Sequence, residues 1–405
     1  CSMSTAAAEA FGGMLSENTT LKTLDVSGNS FGKLAVGDQV KLKSSGEMCT
    51  VHRFYQSNSD KPCITKPDGS TKDDVKSSEF EWESQFPAFC AGLKCNSALE
   101  SLDISENSLG PAGGEVLADA LRTNSVLLCL KVIGNSLGLE GGKAIAAVLK
   151  TNTTLEEVHV GNLVVGCTVK LKDTGQVCTV HRFVSCDGNP CVTLYDDSTK
   201  DNVEPSEFDL IPAVLPAKQL RDNTIETLDL SNKGLGVDGG LMLAALMAGN
   251  DSTEVLHVFS NQMGSEGGKL LASAIKAHPN YIQIAMSMFD GKTDVDMSKK
   301  KGLDAGDGHI IAAALESNSA VDSIVIGSQD NPATIPLKQL RENSVEALDF
   351  EGKQLLALGG IVLASALREN TSVTVLNVSN CSMSTAAAEA FGGMLSENTT
   401  LKTLD

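Results

Sequence analysis

Leu99-Glu-Ser-Leu-Asp-Ile-Ser-Glu-Asn107 aligns on Leu127-Leu-Cys-Leu-Lys-Val-Ile-Gly-Asn135, which begins 28 residues later, and again on Leu155-Glu-Glu-Val-His-Val-Gly-Asn162 after a second step of 28. The same step separates Val345, Val373 and Leu401, and variants begin at Leu21, Ile225, Thr253, Tyr281 and Val321. In Leu99-x-x-Leu102-x-Ile104 the apolar residues point inward and those between point outward, as in a short strand. Asn107 carries an amide able to satisfy backbone groups left open where the chain turns out of that strand.

The rest of each unit predicts a helix. Gly110-Pro-Ala-Gly-Gly114 turns the chain, and Val116, Leu117, Ala120 and Leu121 follow at helical spacing before Asn124 closes the unit. Small residues such as Gly113, Gly114 and Ala118 let that helix lie close to its neighbours. The Gly-Gly pairs recur once per coil and are therefore read as turn and packing features. The full pattern, LxxLxLSxNxLGxxGGxxLAxALxxN, resembles the ribonuclease-inhibitor and NOD-like-receptor class of leucine-rich repeats over about three quarters of the chain. The resemblance implies an α/β leucine-rich-repeat solenoid, with a parallel sheet on the concave side and helices on the convex side. Met288, Ser328 and Gly352 replace the strand-end Asn, so those coils are expected to be less regular.

Composition agrees with a layered core of small aliphatics. Apolar residues make up 41 % and aromatics only 4 %, with Trp82 the single Trp. The formal charge of −19 argues against nucleic acid, which needs a concentrated basic face; Lys299-Lys300-Lys301 reads as a solvated loop. No apolar run has membrane-spanning length and no secretory leader is present, although a chain starting at Cys1 leaves room for one upstream.

A longer period lies over the short one. Residues 1–25 and 381–405 are identical, CSMSTAAAEAFGGMLSENTTLKTLD, at an offset of 380 residues. Neighbouring coils differ at most positions, so chance does not explain the match. A recent tandem duplication inside an ordinary scaffold is one reading. The other is one ten-coil period of a giant tandem-repeat or filament-forming protein, stacking end to end. The chain starts inside a helix and stops inside a strand, whereas a finished solenoid needs polar caps. The expected seam comprises Leu21, Leu24, Val373, Leu376, Val378, Leu401 and Leu404. Two short coils, with Pro332, Pro336 and Leu340 and with Pro212, Pro216 and Leu220, are expected to alter the curvature.

Two insertions interrupt the repeat and resemble each other. Val36-Gly-Asp-Gln-Val-Lys-Leu-Lys…Cys49-Thr-Val-His-Arg-Phe54 corresponds to Val165-Gly-Cys-Thr-Val-Lys-Leu-Lys…Cys178-Thr-Val-His-Arg-Phe183. Alternating strands between Gly and Asp turns suggest small barrel-like β domains, generically similar to SH3-like barrels. The expected division is a coil at 1–33, an inserted domain at 34–84, coils at 85–162, a second inserted domain at 163–212, and coils at 213–405. Cys49/His52/Cys63 and Cys178/His181/Cys191 have zinc-ligand chemistry, but residues three apart on a strand point to opposite faces. Cys49–Cys63 and Cys178–Cys191 could instead meet across paired strands as thiols or disulfides, with Cys186 a rival partner for Cys191.

The sequence carries few signatures of chemistry. Phosphate loops, dinucleotide fingerprints, HExxH and GxSxG motifs are absent. Asp290, Asp294 and Asp296 fall in an expected loop without EF-hand spacing. The outward row after each second Leu reads Asp25, Asp103, Lys131, His159, Asp229, His257, Ala285, Val325, Asp349 and Asn377, without the Trp, Tyr or Arg of protein hot spots. The expectation is therefore no enzyme, no cofactor and no metal. The preferred role is structural, with the chain itself as partner. The alternative is an intracellular recognition scaffold that holds another protein on its concave face or insertions. The compartment stays open: Asn18-Thr-Thr, Asn152-Thr-Thr and Asn370-Thr-Ser are sequons, yet the repeat wants the same Asn at its helix-to-strand turn.

Overall fold

The regular 28-residue units, such as those starting at Leu99, Leu127 and Thr253, fold as a three-residue strand, a turn and a helix. The structure is a computed structural model that describes all residues except 1–4, 30, 33, 35, 37, 56–57, 77–78, 82–83, 185–188, 195–197 and 329; Trp82 and Cys186 thus lie outside the described residues. The chain divides into two compact units, Cys1–His159 and Val160–Asp405.

In the first unit, strands Thr23–Asp25, Ser101–Asp103, Cys129–Lys131 and Glu157–Val160 pair in parallel and in line. Leu24, Leu102, Leu130 and Val158 share one row, and the last three are fully buried. The helices Thr5–Glu17, Phe86–Cys95, Gly110–Thr123 and Gly138–Leu149 pack along the other side of that core. Their glycines set the spacing: a Cβ on Gly92 would stand 2.0 Å from the Gly12 carbonyl oxygen, and one on Gly114 2.6 Å from Gly141 Cα. Backbones that close leave no room for a side chain.

Two sets of buried asparagines tie coil to coil. At the strand end, Asn107 Nδ2 donates to the carbonyls of Val26, Ile104 and Ser105 (2.9, 3.0 and 3.1 Å), and Oδ1 accepts from Phe31 N–H. Asn135 repeats this one coil later: Oδ1 accepts from Asn107 N–H (2.9 Å), and Nδ2 donates to Ile104 and Val132 (2.9 and 3.1 Å). At the helix end, Asn96, Asn124 and Asn152 reach the carbonyls of Leu15, Leu93 and Leu121 while accepting from Leu99, Leu127 and Leu155 N–H. Asn370 does the same between Leu340 and Val373. The amides of the Asn152 and Asn370 sequons are therefore buried and committed.

In the second unit the parallel strands come in three sets. Thr227–Asp229 pairs with Val255–His257, Asp294–Asp296 with Ser323–Ile326, and Ala347–Asp349 with Val375–Asn377, which pairs in turn with Thr403–Leu404. The short coil around Pro332 and Pro336 contains the strand Ala333–Ile335, which runs antiparallel to Ser323–Ile326. Proline has no N–H to donate, so a strand bracketed by two prolines suits the edge of a ladder. Ser328, one of the Asn replacements, keeps a buried hydroxyl with no hydrogen-bond partner among the described residues. That coil is indeed irregular.

One expected strand is a helix. Tyr281–Ser287 is helical, burying Ile284 and Ala285, so Met288 follows a helix and does not end a strand. The strand of that coil is Asp294–Asp296, where a loop was expected. The spacing Tyr281-x-x-Ile284 fits one helical turn as well as the repeat's strand motif, and the local sequence does not separate them.

The insertions form two five-stranded antiparallel sheets of the same topology. The spatial order is Thr71–Lys72, Asn58–Thr65, Met48–Tyr55, Gln39–Leu42, Phe80–Glu81 in the first, and Thr199–Lys200, Pro190–Thr193, Val177–Phe183, Thr168–Leu171, Phe208–Leu210 in the second. The antiparallel sheets expected are thus present, and no pairing joins the outer strands into a closed barrel among the described residues. Each has a small apolar core, Val40, Leu42, Cys49, Val51, Ile64 and Val75 in the first, and a bulge at the same place, between Val51 and Arg53 and between Val180 and Arg182.

Truncating Asn107 to Ala strands several buried backbone groups at once. The expected loss is roughly 2–3 kcal/mol in urea unfolding. Gly92→Ala is expected to cost about 1–3 kcal/mol, because the new methyl meets backbone. Either variant unfolding at the wild-type midpoint would refute this coil-to-coil packing.

Candidate functional site

The outward side of the parallel strands carries charge in a fixed pattern. In the first unit Asp103, Lys131 and His159 stand side by side by register, with Lys131 Nζ 3.4 Å from Asp103 Oδ2. The aspartates also have a structural duty that strand patterning did not reveal. Asp25 accepts from Ser27 N–H, Asp103 from Ser105, Asp229 from Ser231, Asp296 from Ser298 and Asp349 from Glu351, each at 2.9–3.0 Å. These are Asx turns that lead the chain out of the strand. Hydrogen bonds from the Ser27 backbone and side chain hold the Asp25 carboxyl below the ordinary carboxylate range. The recurring Asp-x-Ser was the available signal. Ala285 drops out of the outward row, being buried in a helix, and Asp296, opposite Val325, takes that place.

Two positions earlier on the strands, and so on the same face, Cys129 stands opposite Glu157. The Cys129 thiol, the Glu157 carboxylate and the His159 imidazole bring one ligand atom each within 4.8 Å of one another. His159 Nε2 lies 3.3 Å from Glu157 Oε2. Desolvation raises the Cys129 thiol above its usual range, opposed by a hydrogen bond with Ser101.

The cysteine and histidine sets of the insertions do not assemble. Cys49 is in the sheet core, whereas His52 Nδ1 meets Thr65 Oγ1 at 3.1 Å. Cys63 stands opposite Arg53 and Cys191 opposite Arg182, so neither faces Cys49 or Cys178 across the ladder. All four are buried free thiols. Cys178 is likewise in the core of its sheet, and His181 bonds Thr193 at 3.1 Å. Asp294 and Asp296 flank Val295 on a strand and are engaged by Ser323 and Ser298.

The helical side of the second unit has a groove of about 440 Å³ between Lys269, Lys276, His309, Glu316, Arg368 and Glu389. His309 Nε2 lies 3.0 Å from Ser265 Oγ. Burial first, and then the Lys269 charge, hold His309 down to about 4, against the opposing pull of Glu266 and Glu389.

The two identical segments show different faces. In the first copy Ala8, Gly12 and Leu15 are buried, and Gly12 lies against helix Phe86–Cys95 of the following coil. In the second copy Ala387, Phe391 and Met394 are buried, and Ala387 lies against Gly360 of the preceding coil. Leu15 is 0 % exposed while the matching Leu395 is 45 % exposed. Of the expected seam residues, Val373, Leu376 and Val378 are buried, Leu21, Leu24 and Leu401 are half-buried, and Leu404 is exposed.

Four segments, residues 17–34, 95–118, 254–272 and 369–392, match the family model for the Leucine Rich repeat. These matches support a leucine-rich-repeat protein. No curated protein matches the chain. No helix among the described residues is long and apolar enough to cross a membrane.

His309 gives a pH prediction. Its folded-state pKa lies below the ordinary histidine value of about 6.5, so the unfolded chain takes up the proton first. The stability involved is fully present above that pH and is lost as pH falls toward 4. The urea midpoint should fall less between pH 7.5 and pH 4.5 in His309→Gln than in the wild type, and an equal fall would refute this origin.

Proposed function

We propose that this leucine-rich-repeat chain is a non-enzymatic protein-interaction scaffold whose partner is another repeat block of its own kind, continuing the stack coil on coil as one period of a longer assembly. One observation carries the reading. The same 25 residues bury one helix face against a following coil in one place and the adjacent face, one residue round the helix, against a preceding coil in the other. A segment that accepts neighbours on both sides is the joint a head-to-tail stack requires. The backbone agrees, since Thr23–Asp25 pairs forward with Ser101–Asp103 while Thr403–Leu404 pairs back with Val375–Asn377.

In this reading the coils follow the ribonuclease-inhibitor type, with a helix in every repeat, and form a solenoid. The insertions would be modules of SH3-like character, set off from the stack at 34–84 and 163–212. A second reading, recognition of an unrelated protein, is favoured by the polar strand face of Asp103, Lys131 and His159. The cell interior remains the preferred compartment.

Leu395 discriminates. As an exposed residue it tolerates Leu395→Arg without loss of fold, but a following coil would bury it as Leu15 is buried. The expected result is concentration-dependent species above 42.4 kDa for the wild type in light scattering, with linear stacks in electron micrographs, and their loss in Leu395→Arg. A wild type that stays at one discrete monomer mass would overturn self-stacking and favour the second reading.

A further inference from the structure

Cys129, Glu157 and His159 stand on the outward face of two adjacent parallel strands, with Cys129 opposite Glu157 and Lys131 opposite His159. We propose that these three side chains form a binding site for a borderline-soft divalent transition metal, zinc above all.

Geometry is the first support. Side chains two apart on a strand share a face, so Glu157 and His159 point the same way, and the parallel ladder brings Cys129 beside them. Two donors about 2.0–2.2 Å from a tetrahedral ion lie roughly 3.3–3.6 Å apart. His159 Nε2 and Glu157 Oε2 already stand 3.3 Å apart. The sulfur needs only a small side-chain adjustment from within 4.8 Å. Backbone hydrogen bonds hold the two strands in register meanwhile, since Glu157 N–H donates to Leu128 and Val132 N–H to His159.

Chemistry is the second. Thiolate, carboxylate and neutral imidazole together carry two negative charges, which a divalent ion neutralises. Lys131, the neighbouring cation, is turned to Asp103. A sulfur and a nitrogen donor select zinc and its transition-metal neighbours over calcium and magnesium, which take oxygen ligands. Binding releases the thiol proton to solvent and changes no oxidation state. Three protein donors leave a fourth position for water, since Glu157 is exposed.

The experiment uses the full chain under reducing conditions. Cobalt(II) is titrated as an optical stand-in, and zinc is then added in competition. The wild type should show a thiolate-to-cobalt charge-transfer band with tetrahedral visible bands, displaced by one equivalent of zinc and unaffected by magnesium. Cys129→Ser should lose the charge-transfer band. His159→Ala and Glu157→Gln should each bind at least about tenfold more weakly, with unchanged far-UV circular dichroism. Zinc should raise the melting temperature of the wild type and not that of Cys129→Ser. A band that persists in Cys129→Ser places the metal on another of the chain's thiols and overturns the proposal, as do undiminished affinity in His159→Ala and a wild type with no band at all.

Discussion

A strand of three residues followed by a turn leaves backbone N–H and carbonyl groups inside the coil with no water to meet them. Asn107 shows how the chain handles this: fully buried, it serves three carbonyls and one N–H, and one of those carbonyls, Val26, belongs to the coil before it. Asn135 takes up the chain of contacts by binding the Asn107 N–H itself. Because these amides are shared between neighbours, their coils are not satisfied alone, and satisfaction of backbone groups becomes a property of the stack. The same logic runs along the helix ends through Asn96, Asn124 and Asn152.

Close helix packing is the counterpart on the other side. Gly12 and Gly92, Gly114 and Gly141, and Gly268 and Gly306 approach so closely that no side chain fits between the backbones. The spacing of parallel strands is fixed by their hydrogen bonds, and helices wider than strands can follow them only where their contact residues are small. Where Ser328 replaces the amide, the order changes, whereas the coil with Gly352 keeps its parallel strand and helix. Ser328 leaves a buried hydroxyl unmatched, and the ladder there closes on an antiparallel strand between two prolines.

The duplicated segment shows that neighbours, not sequence, set burial. Its two copies are chemically the same, so their different burial comes from what lies beside each: helix Phe86–Cys95 against Gly12 in one, Gly360 against Ala387 in the other. Meanwhile the outward strand positions stay free of core duties and hold the charged rows, including the Cys129, Glu157 and His159 cluster.

Much of this was legible in the residues themselves. The 28-residue step, the Asn and Gly-Gly positions, the two related insertions and the exact repeat at an offset of 380 follow from the order of amino acids, because packing between like coils imposes a period. Tertiary structure decided the rest. Tyr281–Ser287 became a helix and Asp294–Asp296 the strand because an i, i+3 apolar pair fits both, and only a neighbouring strand to pair with settles it. Whether the outer strands of each insertion meet is likewise a long-range matter, and among the described residues they do not pair. Cys129 and Glu157, far apart along the chain, became neighbours only through the register of two parallel strands, a relation that spacing on one strand does not express.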